Sequence, residues 1–113
     1  MVDIVATDTF SDWFTKLSAK RRDDITAVVE LLAERGVHLG YPRSSDVKGS
    51  KLGRLRELRI QSQGDAIRIL YAFDPHRQAV LLVGDIKKGT ERRFYKRMID
   101  EAEKLYDEHL KGS

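Results

Sequence analysis

The chain has 113 residues with 21 Lys and Arg against 18 Asp and Glu, a net charge of +3 at pH 7, and no cysteine. That length supports one domain, residues 1–113, around a single core, and the missing thiols exclude a disulfide framework, a thiolate zinc site and a cysteine nucleophile. The longest apolar runs are about five residues, as in "AVLLV", and "MVDIVATDTF" lacks a basic segment followed by an apolar one; neither a membrane span nor a signal peptide is expected, and the reading is a soluble, cytoplasmic protein.

"DIVA" near the start is a short β-prone run. Phe10, Trp13, Phe14 and Leu17 then fall at i, i+3, i+4 and i+7, which predicts a helix with Thr9 as its N-cap. That spacing favours Trp13 and Phe14 as core side chains over a base-stacking platform. A second helix is expected over about 22–35, with Ile25, Val28, Val29 and Leu32 inward and Gly36 as its stop. Residues 37–54 follow neither period and read as an irregular basic loop. Three strands follow at about 55–61, 66–73 and 79–87, joined by "SQGD", where Gly64 suits a positive φ, and "DPHR", where Pro75 suits a type I turn. A last helix over about 91–110 puts Phe94, Met98, Ala102, Leu105 and His109 on one side. The expected fold is α+β in the order β-α-α-β-β-β-α, a small twisted, largely antiparallel sheet with its helices packed on one face.

The first hairpin carries an arginine in the middle of each strand. With Ser62 to Asp65 as a four-residue loop, Gln61 pairs with Ala66, Ile60 with Ile67, Arg59 with Arg68 and Leu58 with Ile69. Leu58, Ile60, Ile67, Ile69, Tyr71 and Phe73 then share the core face, and Glu57, Arg59, Gln61 and Arg68 share the other. Directly opposed like charges are unfavourable by roughly 0.2–1 kcal/mol. The pair therefore needs an internal counter-ion, for which Glu57 is the candidate, or an external anion. Arg68, pointing off a polar face, is expected to add little to the core. Arginine's rigid donor fork suits a phosphodiester better than a metal, and no metal or cofactor is expected.

Charge is also clustered along the chain. Six bases face two acids between Arg43 and Gln61, and six face one between Lys87 and Arg97, before the balance reverses in the acidic tail. Each run alone reads as a solvated surface; two basic runs meeting in the fold would make an anion-binding face. Lys87 and Lys88 sit where the last strand hands over to the helix, whose first amides add donors.

The run "GSKLGRLRELRIQSQGDAIRILYAFDPHRQAVLLVGDIKKGTERRFYKRMIDEA" resembles the RelE/ParE superfamily of bacterial toxins, and within it the HigB-like, phage-related branch. The likeness lies in the order of pieces over about residues 50–105: a leucine and glycine before E-L-R, then R-I-L-Y, an apolar strand closing on K-K, and a helix. The resemblance implies a RelE-like fold and a ribosome-dependent mRNA endoribonuclease, neutralised by a HigA-like helix-turn-helix antitoxin. By similarity Arg59, Arg68, Lys87 and Lys88 match positions that are basic on the catalytic surface of such toxins, and Tyr95 matches a tyrosine near the start of the last helix.

Cleaving RNA without a metal requires activating the ribose 2′-OH, stabilising charge on the phosphate and protonating the departing 5′ oxygen. Arginine is a poor base. A lysine among other cations, Lys87 or Lys88, is one candidate base, and Glu57 is another unless it serves to orient Arg59. His38, His76 and His109 fall outside this set. Lys48, Lys51, Arg54, Arg56, Arg92, Arg93 and Lys96 flank it and are expected to contact RNA or ribosome phosphates. Two other readings stay open: a ParE-like blocker of a topoisomerase such as gyrase, and a basic nucleic-acid-binding domain without chemistry.

Overall fold

A computed structural model of the chain describes residues 1–112. It comprises β1 (Ile4–Ala6), α1 (Asp8–Thr15), α2 (Ala19–Arg35), a 3-10 turn (Gly36–His38), β2 (Ser44–Asp46), β3 (Arg56–Ser62), β4 (Asp65–Phe73), β5 (Ala79–Ile86) and α3 (Glu91–Gly112). The strands form one mixed sheet in the order β1-β5-β4-β3-β2, with β1 parallel to β5 and the other pairs antiparallel.

Capping decides where the helices begin. Thr7, not Thr9, caps α1: its hydroxyl accepts from the Phe10 amide at 3.0 Å and donates to the Leu82 carbonyl at 2.7 Å, tying the helix start to β5. Ser18 caps α2 by accepting from the Arg21 amide, so this helix starts three residues before Arg22. It ends, as its sequence suggests, at Gly36, whose φ of 55° suits glycine.

The hairpin register is the expected one, with Arg59 opposite Arg68 and Gln61 opposite Ala66. The loop is shorter than four residues, because Ser62 and Asp65 also pair and only Gln63 and Gly64 turn, with φ of 49° and 82°. Two successive positive φ values give the tight turn that matches strand twist. Residues 44–46, read as loop, are the edge strand β2. Its sequence, Ser-Ser-Asp, has no apolar alternation; it is held by pairing to β3 and by the buried Ser44 hydroxyl, 2.7 Å from the Tyr71 hydroxyl.

Helices cover both faces of the sheet, which corrects the expectation of one. Leu58, Ile60, Ile67, Ile69 and Tyr71 meet Phe10, Ile25, Val28 and Leu32 of α1 and α2. On the opposite face Leu55, Leu70, Ala72, Val80, Leu82 and Val83 meet Phe94, Met98, Ile99, Ala102 and Tyr106 of α3. The physical reason is that β4 and β5 contain unbroken apolar runs, which no single layer of helices can bury. A register shift at Leu70/Tyr71 places both Leu82 and Val83 under α3. Trp13 packs on the α1 side, its ring against Gly84.

The far end of α3 is pinned at the β4–β5 turn. Asp74 is buried there, accepts from the amides of His76 and Gln78 at 2.9 Å each, and lies 2.8 Å from His109 Nε2. Burial pushes its pKa up, but the bonds to His109 and the two amides outweigh that and hold it below its ordinary 3.8. A carboxyl depressed in the fold adds stability above its unfolded pKa, and that stability is lost as pH falls through the folded value. Asp74→Asn should therefore lose less stability than the wild type between neutral pH and about pH 3. Denaturant titrations at both pH values test this, and parallel losses would refute it.

Candidate functional site

Strand alternation places Glu57 and Arg59 on the α3 side of β3, and the register sets Arg68 opposite Arg59. Near the start of α3 this face changes from apolar to charged. Glu57 is 5% exposed and Arg68 7%. Glu57 Oε2 accepts from Ser45 Oγ at 2.7 Å and from Arg59 Nη1 at 3.0 Å. Glu57 Oε1 accepts from the Tyr95 hydroxyl and lies 3.8 Å from Arg68 Nε. One buried carboxylate thus serves both opposed arginines and leaves the trio with a single positive charge. Arg68 is not a solvent-facing side chain, as the open polar face predicted, because α3 covers it; its Nη1 donates to the Ile67 carbonyl at 3.1 Å, and its Nε is buried without a hydrogen bond.

Glu57 has its oxygens engaged by Ser45, Arg59 and Tyr95, which suits orientation of the arginines better than proton abstraction. Burial pushes the Tyr95 phenol up to about 12, the bond to Glu57 adds to that, and Arg68 opposes it. Tyr95 is therefore a protonated donor at physiological pH.

Above this cluster a cleft of about 660 Å³ opens between the segment after β2 and the first turns of α3. Lys48, Arg59, Arg92 and Lys96 supply its cations, Val47 and Ile99 its apolar part, and Asp46, Glu57, Glu91 and Asp100 its acids. Lys87 stands beside it: its ammonium donates to Glu91 at 2.9 Å and sits 5.7 Å from the Tyr95 ring centroid. The Lys87 hydrogen bond and charge hold the Glu91 carboxyl below its ordinary value, with Arg68 and Arg59 adding to the effect. Lys87 thus meets an anion, not only the cations its sequence neighbours suggested.

Of the residues the sequence singled out, Glu57, Arg59, Tyr95, Lys48, Arg92 and Lys96 share the cleft, Arg68 lies at the buried cluster and Lys87 at the rim. Arg56 is turned away, bonded to Ser44 Oγ at 3.1 Å and paired with Asp46. Lys51, Arg54, Lys88 and Arg93 are exposed and do not line the cleft. The Lys51 amide instead donates to Glu103, which fixes this loop on α3. Sequence reasoning missed Ser45 and Glu91. Glu91 opens α3 four residues after Lys87, which lies in the link before the helix, so no helical spacing signals the pair, and Ser45 carries no signal either. Among the described residues no three His, Asp or Glu side chains converge as metal ligands, and no helix is long and apolar enough to cross a membrane.

The family described as "Phage derived protein Gp49-like (DUF891)" matches residues 12–107, and the chain belongs to that family. Among curated proteins of Mycobacterium tuberculosis, the chain is 39% identical over 101 residues to one named "Putative toxin HigB2" and 41% identical over 83 residues to one named "Putative toxin HigB3". These alignments cover 88% and 74% of this chain, but 50% and 71% of the relatives, so the chain spans about half the length of the first. The HigB-like resemblance drawn from the strands and the last helix agrees with these matches.

Proposed function

We propose that this chain is the toxin of a toxin–antitoxin system and that it cleaves mRNA on the ribosome. The observation that carries the reading is the pairing of Arg59 and Arg68 around one buried carboxylate, at the floor of a cleft rimmed by Lys48, Arg92 and Lys96. A phosphodiester entering this cleft meets donors fixed in place before it arrives, the arrangement that stabilises charge as it develops. In this reading the ribose 2′-OH gives its proton to water and its oxygen bonds to phosphorus as the bond to the 5′ oxygen breaks, leaving a cyclic phosphate and, once the departing oxygen is protonated, a 5′ hydroxyl. Arg59, which lines the cleft, holds an equatorial oxygen, and Arg68, buried beneath it, keeps Glu57 and Arg59 in position. On the same reading Lys87, or Tyr95 once its hydroxyl turns from Glu57, gives a proton to the departing oxygen. With so few recognition elements beyond charge, the ribosome positions the substrate, and a HigA-like helix-turn-helix antitoxin neutralises the protein.

The test is to map mRNA ends on translating ribosomes and on naked RNA, with wild type and Arg59→Ala. Wild type should cut ribosome-bound mRNA and scarcely touch naked RNA, and the variant should cut about 10²–10³-fold more slowly. Intact mRNA in growth-arrested cells would overturn the reading, and blocked gyrase supercoiling in the same cells would establish the topoisomerase alternative.

A further inference from the structure

The exposed aromatic ring nearest the cleft is Tyr41, which lies outside every residue set assigned above. It is 78% exposed, while the aromatic residues of α1 and of β4 pack into the core. Its position is nonetheless fixed. The amides of Arg43 and Ser44 both donate to the Gly40 carbonyl, at 3.2 and 3.0 Å, and close the turn that carries it, and the Arg59 amide donates to the Arg43 carbonyl at 2.9 Å. The Arg59 guanidinium carbon sits 5.5 Å from the Tyr41 ring centroid. The same guanidinium bonds Glu57 and lines the cleft.

We propose that Tyr41 is a base-stacking residue that holds a nucleobase of single-stranded RNA next to the phosphate bound at Arg59. Base and phosphate of a nucleotide are joined through one ribose, so a stacking ring and an anion-binding fork side by side fit one nucleotide. Aromatic rings accept bases of any sequence on their faces, and unstacked bases of single strands are what such rings capture. With Arg59 against the ring and most of its surface open, a base has a flat surface to occupy. Arg43, exposed and without an ion pair among the described residues, gives the neighbourhood the charge of an anionic partner. The assignment rests on the RNA-binding part of the proposed function, not on the cleavage step.

The probe is a short fluorescent single-stranded RNA of mixed sequence, titrated at low salt and followed by anisotropy, with inorganic polyphosphate as the base-free competitor. Tyr41→Ala should weaken RNA binding roughly five- to 150-fold, the range for loss of one stacked base, and leave polyphosphate affinity and the salt slope unchanged. Tyr41→Phe should bind within about twofold of wild type, since a phenyl ring stacks as well. Unfolding midpoints identical to wild type establish that Tyr41→Ala folds. Equal RNA affinity for wild type and Tyr41→Ala would overturn the assignment, as would a wild type that binds RNA no better than polyphosphate. Full RNA affinity with loss of antitoxin binding would also overturn it and move the ring to a protein contact. Stacking lost in Tyr41→Ala while wild type leaves mRNA intact would sustain this assignment and sink only the cleavage.

Discussion

Arg68→Ala should abolish growth inhibition and also destabilise the fold by about 3 kcal/mol, lowering the melting temperature by roughly 10 °C or more. The side chain is buried beside Glu57, and removing one member of a buried charge cluster leaves the other without its full compensation. Arg59 still neutralises Glu57, which keeps the cost near the low end of the range for broken buried pairs. The companion experiment separates stability from activity: Arg68→Met combined with Glu57→Gln removes both buried charges and should be more stable than Arg68→Ala, with toxicity still absent. Thermal melts together with growth assays at matched expression decide the matter. Full toxicity in Arg68→Ala would remove Arg68 from the site, and an unchanged melting temperature would refute its structural role.

Gly84→Ala should cost about 1–3 kcal/mol, the range for overfilling a packed core. A Cβ at Gly84 would lie 2.4 Å from Cζ3 of Trp13 and 2.8 Å from two further ring atoms, so α1 would have to lift from β5. Trp13 is the single tryptophan of the chain, and its fluorescence reports the displacement directly. Chemical unfolding of Gly84→Ala should show a lower midpoint and a red-shifted native emission. Adding Trp13→Leu should recover much of the loss by freeing the space. A variant as stable as wild type, with the same emission, would mean that the ring is free to move.

The hairpin was readable because period-two alternation and a Gly-containing turn agree on one register, so Arg59 and Arg68 were set opposite each other by Leu58, Ile60, Ile67 and Ile69 alone. Glu57 was readable as their partner because two residues along a strand return to the same face. The side of the sheet taken by α3 was not readable from α3's own pattern, which marks an apolar face without saying what it packs on. The continuous apolar runs in β4 and β5 hold that information, and they call for cover on both faces. That one placement decides the site, since it buries Arg68, brings Tyr95 to Glu57 and builds a cleft from Lys48, Arg92 and Lys96. Ser45 escaped because β2 has no apolar residue to betray it, while Lys51, Arg54 and Arg93, expected to flank the site, are exposed outside the cleft. Arg56, one residue before Glu57, necessarily faces the other way.

The parallel pairing of β1 with β5 bears on how the chain folds. It joins Ile4 to Ala79, and the Thr7 hydroxyl reaches the Leu82 carbonyl across 75 residues of sequence, whereas β3, β4 and β5 are neighbours through short turns. Loop-closure entropy makes such a distant contact a late event. Until it forms, β5, with its run "AVLLV", has an open edge with unpaired amides and carbonyls, the feature through which partly folded chains join one another. Three residues, Ile4–Ala6, close that edge, so the opening segment of the chain guards the most apolar strand against association with other copies.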